Sequence, residues 1–419
     1  MLIYLFFFMI LAVLLFDFKK GVLMYAPMKL FFNINVRFGA FTFDFLVSLI
    51  IFLLFVKDWN KYKKIAFPLK KAFLIYGIGY AITCIIPDFA PNYIPRIILI
   101  VLLFSYVYYF CLDSITNIKF AIACYSLFAI VMCGNGLLTP LFGINPLDDF
   151  LQSVSDEDNS LFMDNEFVRM GQVRYRSFIP HAISYGVACC VILYLQIWSL
   201  LQIRNFSKVL AVGSLCLLLS GIIICGSRTP IIGLLPIGYL FFAKGKITTR
   251  MKIMMGILMV AFLLFKGDYI LYSIKSLVDP RVAYESGGSS TEMRMIQYAI
   301  ALKFFLSSPI WGMGMNFDPF ELDSDIMGSE SVWLPIMMKN GLIGVISYAL
   351  VYYYLYKVSL RSPGKIFLMI FSLGWLLMRT ATSLIGVTDA QFFTIYFCLY
   401  RYYELVERNL EISVMPSKR

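Results

Sequence analysis

The 419-residue chain is 60% hydrophobic and only 15% charged, with a mean hydropathy of +0.79. So few charged residues cannot cover a soluble globular domain of this size, and that class of protein is excluded. The formal net charge of +11 comes largely from lysines in short loops between apolar runs. Such a pattern sets membrane topology and does not indicate a nucleic-acid partner. All nine cysteines lie in apolar segments, which leaves neither a disulfide framework nor a CxxC metal site.

Apolar runs long enough to cross a bilayer recur along the chain. They occupy residues 1–16, 38–56, 72–87, 94–112, 118–138, 179–200, 208–225, 230–243, 253–272, 331–355, 366–386 and 390–403. The sequence therefore predicts an all-α polytopic membrane protein of about twelve transmembrane helices, forming a single membrane domain over residues 1–419. Residues 1–16 lack a basic n-region and an A-x-A site. We therefore expect them to be a first membrane segment and not a cleaved signal peptide.

The loops at 57–71, 244–252 and 357–365 are basic and nearly free of acidic residues. Basic loops stay in the cytoplasm, so this pattern predicts that both termini are cytoplasmic. Lys19 and Lys20 would then lie outside, against the rule. The same topology puts two long, acid-rich loops on the outer side, at 139–178 and 273–330.

The second long loop contains a helix signal. Ser289-Ser290-Thr291-Glu292 has the spacing of a capping box, and the apolar stretch that follows stops before Pro309. We predict an interfacial amphipathic helix at about 290–307, with Arg294 and Gln297 on its polar side. Residues 309–318 would be a glycine-broken return toward the membrane.

Arginine, and not lysine, dominates the outer face. A guanidinium grips phosphate through two parallel hydrogen bonds and keeps its charge, so a phosphorylated substrate would explain arginines there. Pairing with the loop acids is the alternative. Arg228 stands in the tight turn Gly226-Ser227-Arg228-Thr229-Pro230, with no loop acid close in sequence and with N–H groups of the next helix nearby. The substrate-binding candidates are Arg174, Arg176, Arg228, Arg281, Arg294, Tyr298 and Arg379.

Three further positions carry titratable or buried charge. Arg379 lies inside an apolar segment, where a charge costs about 2.5–3.5 kcal/mol, so we expect it to face a polar cavity or a buried partner such as Asp44. His181, the single histidine, is either an acid–base catalyst or a hydrogen-bonded structural residue. Glu330 opens the tenth apolar segment, either as an acid favoured by the helix dipole or as a general base.

The order of several motifs resembles the O-antigen ligase and Wzy-type O-antigen polymerase superfamily. Glu330-Ser331, nine residues, then Gly341-Leu342-Ile343-Gly344 matches the spacing of that superfamily's H-[NSQ]-x9-G-x-x-[GTY] signature. The Gly226–Pro230 turn, Arg294 and the run Pro309…Gly312-Met313-Gly314 follow its order too. The signature histidine is Glu330 here, a departure that favours polymerase over ligase, since a carboxylate can abstract the same proton.

The resemblance implies a GT-C-like membrane glycosyltransferase that acts at the periplasmic face of the bacterial inner membrane. The donor would be a glycan on undecaprenyl pyrophosphate, and the acceptor a lipid-linked repeat unit. Arginines would stabilise the leaving pyrophosphate, and Glu330, with His181 as a second candidate, would activate the acceptor hydroxyl. No cofactor and no metal is expected, and a Wzz-type chain-length regulator is an expected partner.

Three alternatives stay open at this point. An O-antigen ligase would transfer the finished glycan to lipid A-core. A flippase or transporter for the same lipid-linked sugars would carry its charges in helices along a path, with short loops, whereas the loops here are long. A non-catalytic scaffold for polysaccharide export is the third.

Overall fold

The structure is a computed structural model. It describes residues 2–32, 36–38, 41–63, 65–154, 167–169, 172–203, 207–239, 291–317, 331–382 and 387–414, with the short pieces 275, 279 and 281–282. The predicted segment 253–272 and residues 240–243 lie outside the described residues.

The described chain is nearly all helical. Its helices are α1 (Leu2–Phe16), α2 (Phe18–Met28), α3 (Phe43–Lys57), α4 (Trp59–Tyr62), α5 (Lys70–Ile85), α6 (Pro91–Cys111), α7 (Ile115–Phe142), α8 (Pro146–Val154), α9 (Ala182–Gln202), α10 (Lys208–Ile224), α11 (Arg228–Leu234), α12 (Thr291–Ser307), α13 (Trp333–Arg361), α14 (Lys365–Thr380) and α15 (Val387–Val414). Two antiparallel hairpins pair β1 (Arg37–Phe38) with β2 (Phe41–Thr42), and β3 (Phe167–Arg169) with β4 (Gln172–Arg174).

Among the described residues, 4 helices are long and apolar enough to cross a membrane, namely α6, α7, α9 and α13. Helix α6 combines 3₁₀, α and π turns along its length. Every predicted segment except 253–272 overlaps a described helix. The class of the fold, a nearly all-helical protein with helices able to span a membrane, is therefore as predicted.

The helices define two ends of the molecule. One end, here called the lysine end, contains the C-terminal ends of α3, α13 and α15. Tyr109 donates there to the Ala66 carbonyl and to Glu404, each at 3.1 Å. The loop end gathers α8, the β3–β4 hairpin and the turn before α11. The Tyr175 amide donates to the Ile224 carbonyl at 3.1 Å there, fixing the hairpin against the end of α10.

Helix α2 was not predicted, and it changes the topology. Asp17 caps it by accepting the Lys20 amide at 3.1 Å, and Lys19 pairs with Asp113 at the lysine end. The Phe6 ring lies 6.0 Å from the Phe150 ring of α8, so α1 begins at the loop end. The chain thus enters at the loop end and turns back through α2. The prediction that both termini share one side is wrong, and Lys19 and Lys20 lie at the same end as the basic residues Lys57 and Lys365.

A buried ion pair joins α2 to α3. Lys29 Nζ lies 2.5 Å from Asp44 Oδ1 and 3.0 Å from Ser48 Oγ, and the Tyr25 hydroxyl donates to the same carboxylate at 2.7 Å. The Phe104 ring covers the ammonium, with its centroid 4.2 Å away. Asp44 is therefore the partner of Lys29. The prediction that it could pair with Arg379 is wrong, because α2, which sequence reasoning missed, supplies a nearer cation.

Helix α12 lies where the sequence predicted a helix, but Gln297, one of its two predicted polar-side residues, faces inward. Gln297 is buried, whereas Met295, Tyr298, Leu302 and Leu306 are exposed. The expectation that Gln297 faces water is wrong. Ala301 is buried on the same side as Gln297 and packs against Leu334 and Met338, so the inner face of α12 is largely apolar too. Large apolar side chains on the outer face suit a helix in contact with lipid. Placement at a membrane interface stays a prediction.

Candidate active site

Two predicted arginines meet at the turn that leads into α11. The Arg174 Nε donates to the Cys225 carbonyl at 3.3 Å. Gly226 has a φ of +57°, and a Cβ there would lie 3.1 Å from Arg174 Cγ, so this turn requires glycine. Ser227 then caps α11 by accepting the Thr229 amide, and Arg228 is the first helical residue. Arg174 and Arg228, which are 54 positions apart in the sequence, therefore both lie at this turn.

The Arg176 guanidinium binds groups of the protein itself. Its Nη2 lies 2.7 Å from Asp148 Oδ2, and its Nη1 donates to the Ile179 carbonyl at 3.3 Å. Both side chains are buried, and burial raises the pKa of Asp148 although Arg176 opposes the rise. These contacts give Arg176 a structural role in fixing α8 against the chain before α9. Its role in substrate binding stays a prediction.

His181 caps α9 and is neutral. Its Nδ1 accepts the Ile183 amide at 3.1 Å, and burial, followed by the charges of Arg174 and Arg176, lowers the pKa of the ring to about 4. Because Nδ1 is an acceptor, the neutral ring carries its proton on Nε2. At neutral pH His181 can thus donate a hydrogen bond through Nε2, whereas a role as proton acceptor would require loss of the helix cap or of this tautomer.

Arg379 lies in a buried polar cluster within the helices. Its Nη2 is 3.6 Å from Asp389 Oδ2, its Nε is 3.5 Å from the Tyr348 hydroxyl, and its guanidinium lies 5.4 Å from the Trp375 ring. Neither terminal nitrogen makes a hydrogen bond within the described chain. The ion pair is long for a buried one, so most of the hydrogen-bonding capacity of Arg379 is unused in this state.

The end of α14 connects the arginine turn to the start of α13. The Arg379 carbonyl accepts the Val332 amide at 3.0 Å, and the Ala381 carbonyl accepts the Thr229 hydroxyl at 3.4 Å. Thr229 follows Arg228 directly, and Val332 comes two residues after Glu330. Three segments far apart in sequence therefore converge here, although Glu330 itself lies outside the described residues.

The other predicted site residues are placed less fully. Arg294 belongs to α12, and its side chain lies outside the described atoms. Arg281 is exposed, and its amide donates to Asp279 at 2.9 Å. Tyr298 is 53% exposed on the outer face of α12. No hydrogen bond or ion pair between described residues joins Arg281 or Tyr298 to the cluster at the loop end.

Sequence reasoning missed the partners that define this site. Asp389 and Tyr348 surround Arg379, and Asp148 neutralises Arg176. A charged residue at the start of the last apolar segment was the available signal for Asp389. Among the described residues, no group of three or more His, Cys, Asp or Glu side chains could hold a metal ion.

The fold and the site together define an all-helical membrane protein with arginines gathered at the end that carries its loops. Residues 212–349 match the family model described as O-antigen ligase. This match runs from α10 through Arg228 and Arg294 to Gly341 and Gly344 in α13. It supports the resemblance that the motifs carry to the O-antigen ligase and polymerase superfamily, whose members are glycosyltransferase-like enzymes. No curated protein matches the chain.

Proposed function

We propose that the protein is an O-antigen polymerase, a glycosyltransferase that joins repeat units carried on undecaprenyl pyrophosphate. One observation carries the proposal within the superfamily. The end of α14 binds both the Arg228 turn and the start of α13, which follows Glu330. The turn that carries a cationic group for a pyrophosphate and the residue two positions after Glu330, the proposed base for a sugar hydroxyl, are thereby bound to one short backbone segment.

The chemistry needs both groups. The acceptor hydroxyl oxygen attacks the anomeric carbon of the donor glycan, and the bond from that carbon to the pyrophosphate oxygen breaks with its electron pair leaving on the pyrophosphate. Glu330 takes the hydroxyl proton, and Arg174, Arg228 and Arg294 stabilise the charge on the leaving group. The neutral His181 donates from Nε2, and the bilayer holds both lipid tails so that the head groups meet.

Lysines are concentrated at the lysine end, and this concentration orients the protein. The lysine end takes the cytoplasmic side under the positive-inside rule, so the loop end faces the periplasm of the inner membrane. A GT-C-like body of about twelve spans belongs to the same proposal. A Wzz-type chain-length regulator is the proposed partner, because repeated addition at one site does not itself fix a final length.

A gene deletion separates the two activities of the superfamily. Without a polymerase, lipopolysaccharide should run as core and as core bearing a single repeat unit, since the ligase still transfers one unit. Loss of every O-antigen band, the single unit included, would refute the polymerase and identify the ligase. A wild-type ladder would exclude both.

Glu330→Gln tests the base. It preserves size and polarity but removes the proton acceptor, so the ladder should disappear while the protein stays in the membrane. Glu321→Gln is the matched control, because it removes a carboxylate from the same long loop and should leave the ladder intact. A normal ladder from Glu330→Gln would exclude this residue as the base.

A further inference from the structure

Helix α13 is broken at Gly341, whose φ of +58° and ψ of −156° are not helical. In an unbroken helix the amides of Leu342 and Ile343 would donate to the carbonyls of Met338 and Lys339. The break separates these groups, and four backbone positions in the middle of the helix lose their partners. Backbone groups left unpaired in an apolar environment are costly.

Residues 308–316, here called the inserted segment, replace the missing bonds. The Leu342 amide donates to the Pro309 carbonyl at 2.8 Å, and the Ile343 amide donates to the Ile310 carbonyl at 3.3 Å. In the other direction, the Met313 amide donates to the Met338 carbonyl at 2.8 Å and the Gly314 amide to the Lys339 carbonyl at 3.1 Å. The segment therefore enters between the two halves of α13 and satisfies both sides of the break.

The close approach of the two backbones requires glycine. A Cβ at Gly341 would lie 2.5 Å from the Gly312 nitrogen, and a Cβ at Gly312 would lie 2.4 Å from the Lys339 carbonyl group. Both residues have positive φ angles. The glycines that matched the superfamily pattern thus serve backbone contact, which no larger residue permits.

Asp88, in the chain after α5, holds the inserted segment from outside. Its Oδ2 accepts the Asn316 amide at 2.6 Å, and a Cβ at Gly314 would lie 2.4 Å from its Cγ. A second contact from α5 reaches the break itself, because Asn340 donates to the Thr83 hydroxyl at 2.7 Å. Helix α5 and its following turn therefore fix both the inserted segment and the first half of α13.

We propose that the inserted segment is a rigid coupling between α12 and the first half of α13, and that Asp88 is a positioning residue for the reaction. Helix α12, which carries Arg294, ends at Ser307, directly before the segment. The half-helix that follows Glu330 ends at the break. The coupling thus fixes the end of α12, the helix that carries Arg294, relative to the first half of α13, which follows Glu330 in the sequence. The catalytic part of this inference rests on the proposed function, whereas the coupling itself does not.

Hydrogen–deuterium exchange on the purified full chain tests the coupling without substrate. Asp88→Ala removes the acceptor of the Asn316 amide, and exchange should accelerate about tenfold or more. The acceleration should appear both in the inserted segment and at residues 342–343, because each of these two segments donates hydrogen bonds to backbone carbonyls that the other holds in place. Asp88→Asn keeps an acceptor oxygen and should restore protection. Asp149→Ala, which removes an exposed carboxylate at the same end, is the control and should change neither peptide.

Unchanged exchange in Asp88→Ala, or acceleration in one of the two peptides alone, would overturn the coupling. If Asp88→Ala cannot be purified folded, Thr83→Val takes its place. It removes the acceptor of Asn340 and should accelerate exchange in the same two peptides, and unchanged exchange in Thr83→Val would equally overturn the proposal.

Kinetics with lipid-linked donor and acceptor then test the positioning role. Asp88→Ala should lower kcat about tenfold with KM within about twofold of wild type, and Asp88→Asn should recover most of the rate. A raised KM with unchanged kcat, or no recovery in Asp88→Asn, would overturn it. If the wild-type protein is inactive but Asp88→Ala still accelerates exchange in both peptides, the proposed function is refuted and the coupling stands.

Discussion

Replacing Lys29 or Asp44 singly should destabilise the protein far more than replacing both. The Lys29 side chain is 0% exposed and the Asp44 side chain 4%, so neither charge reaches water. Removing one partner leaves the other buried and unpaired, which typically costs about 3–5 kcal/mol. Removing both leaves no buried charge, so the double variant Lys29→Met/Asp44→Leu should recover most of the loss.

Thermal unfolding of the detergent-purified variants measures this coupling as a double-mutant cycle. Lys20→Met is the control, because Lys20 and Asp17 form an ion pair of the same kind whose side chains are 54% and 44% exposed. That variant should change the free energy of unfolding by less than about 1 kcal/mol. If the two single losses simply add in the double variant, the pair has no interaction energy and the reasoning is refuted.

Three more predictions follow from the loop end and from α13. Burial lowers the pKa of His181 to about 4, so between that pH and about 6.5 the unfolded chain binds more protons than the folded protein. Stability should therefore rise with pH across this window, and His181→Asn should flatten the rise. An unchanged pH profile in His181→Asn would contradict the neutral histidine. Arg176→Met should lower the thermal midpoint because it leaves Asp148 buried without its ion-pair partner, and the double variant Arg176→Met/Asp148→Asn should recover part of the lost midpoint. If the double variant is no more stable than Arg176→Met, the ion pair is excluded as the cause. Gly341→Ala should lower the free energy of unfolding by at least about 1–3 kcal/mol because of its backbone angles alone. Gly134→Ala is the control and should leave stability unchanged, because no atom lies within 4 Å of the added Cβ. Equal thermal midpoints for the two variants would exclude strain at the break.

The long apolar helices were predictable because their signal is local. A run of apolar residues identifies a spanning helix whatever its neighbours are, and α6, α7, α9 and α13 all carry such a run. Helix α2 carries none. It has 11 residues, with lysines in its first turn and Pro27 near its end, and it is helical and buried because surrounding helices supply its partners. Tertiary packing decides such a segment, so its own composition could not reveal it.

The partners of the buried charges were unpredictable for the same reason. Sequence reasoning required a partner for Arg379, since an isolated charge in an apolar helix is costly. It named Asp44 and missed Asp389, because the partner of Arg379 depends on which helices are neighbours. Once α2 supplies Lys29 to Asp44, Asp389 is the carboxylate left within reach of Arg379 among the described residues.

The arginines of the loop end are therefore not equivalent, although their residue type and location predicted one role for all. Arg176 and Arg379 each face a buried carboxylate, and part of their charge is already neutralised by the fold. Arg174 and Arg228 are brought together by a turn that needs glycine at 226 and that is fastened to the end of α14. An arginine that already faces a buried carboxylate has less charge to offer a pyrophosphate in the transition state. The number of outward arginines thus overstates the size of the phosphate site, because Arg176 and Arg379 are already engaged by the fold.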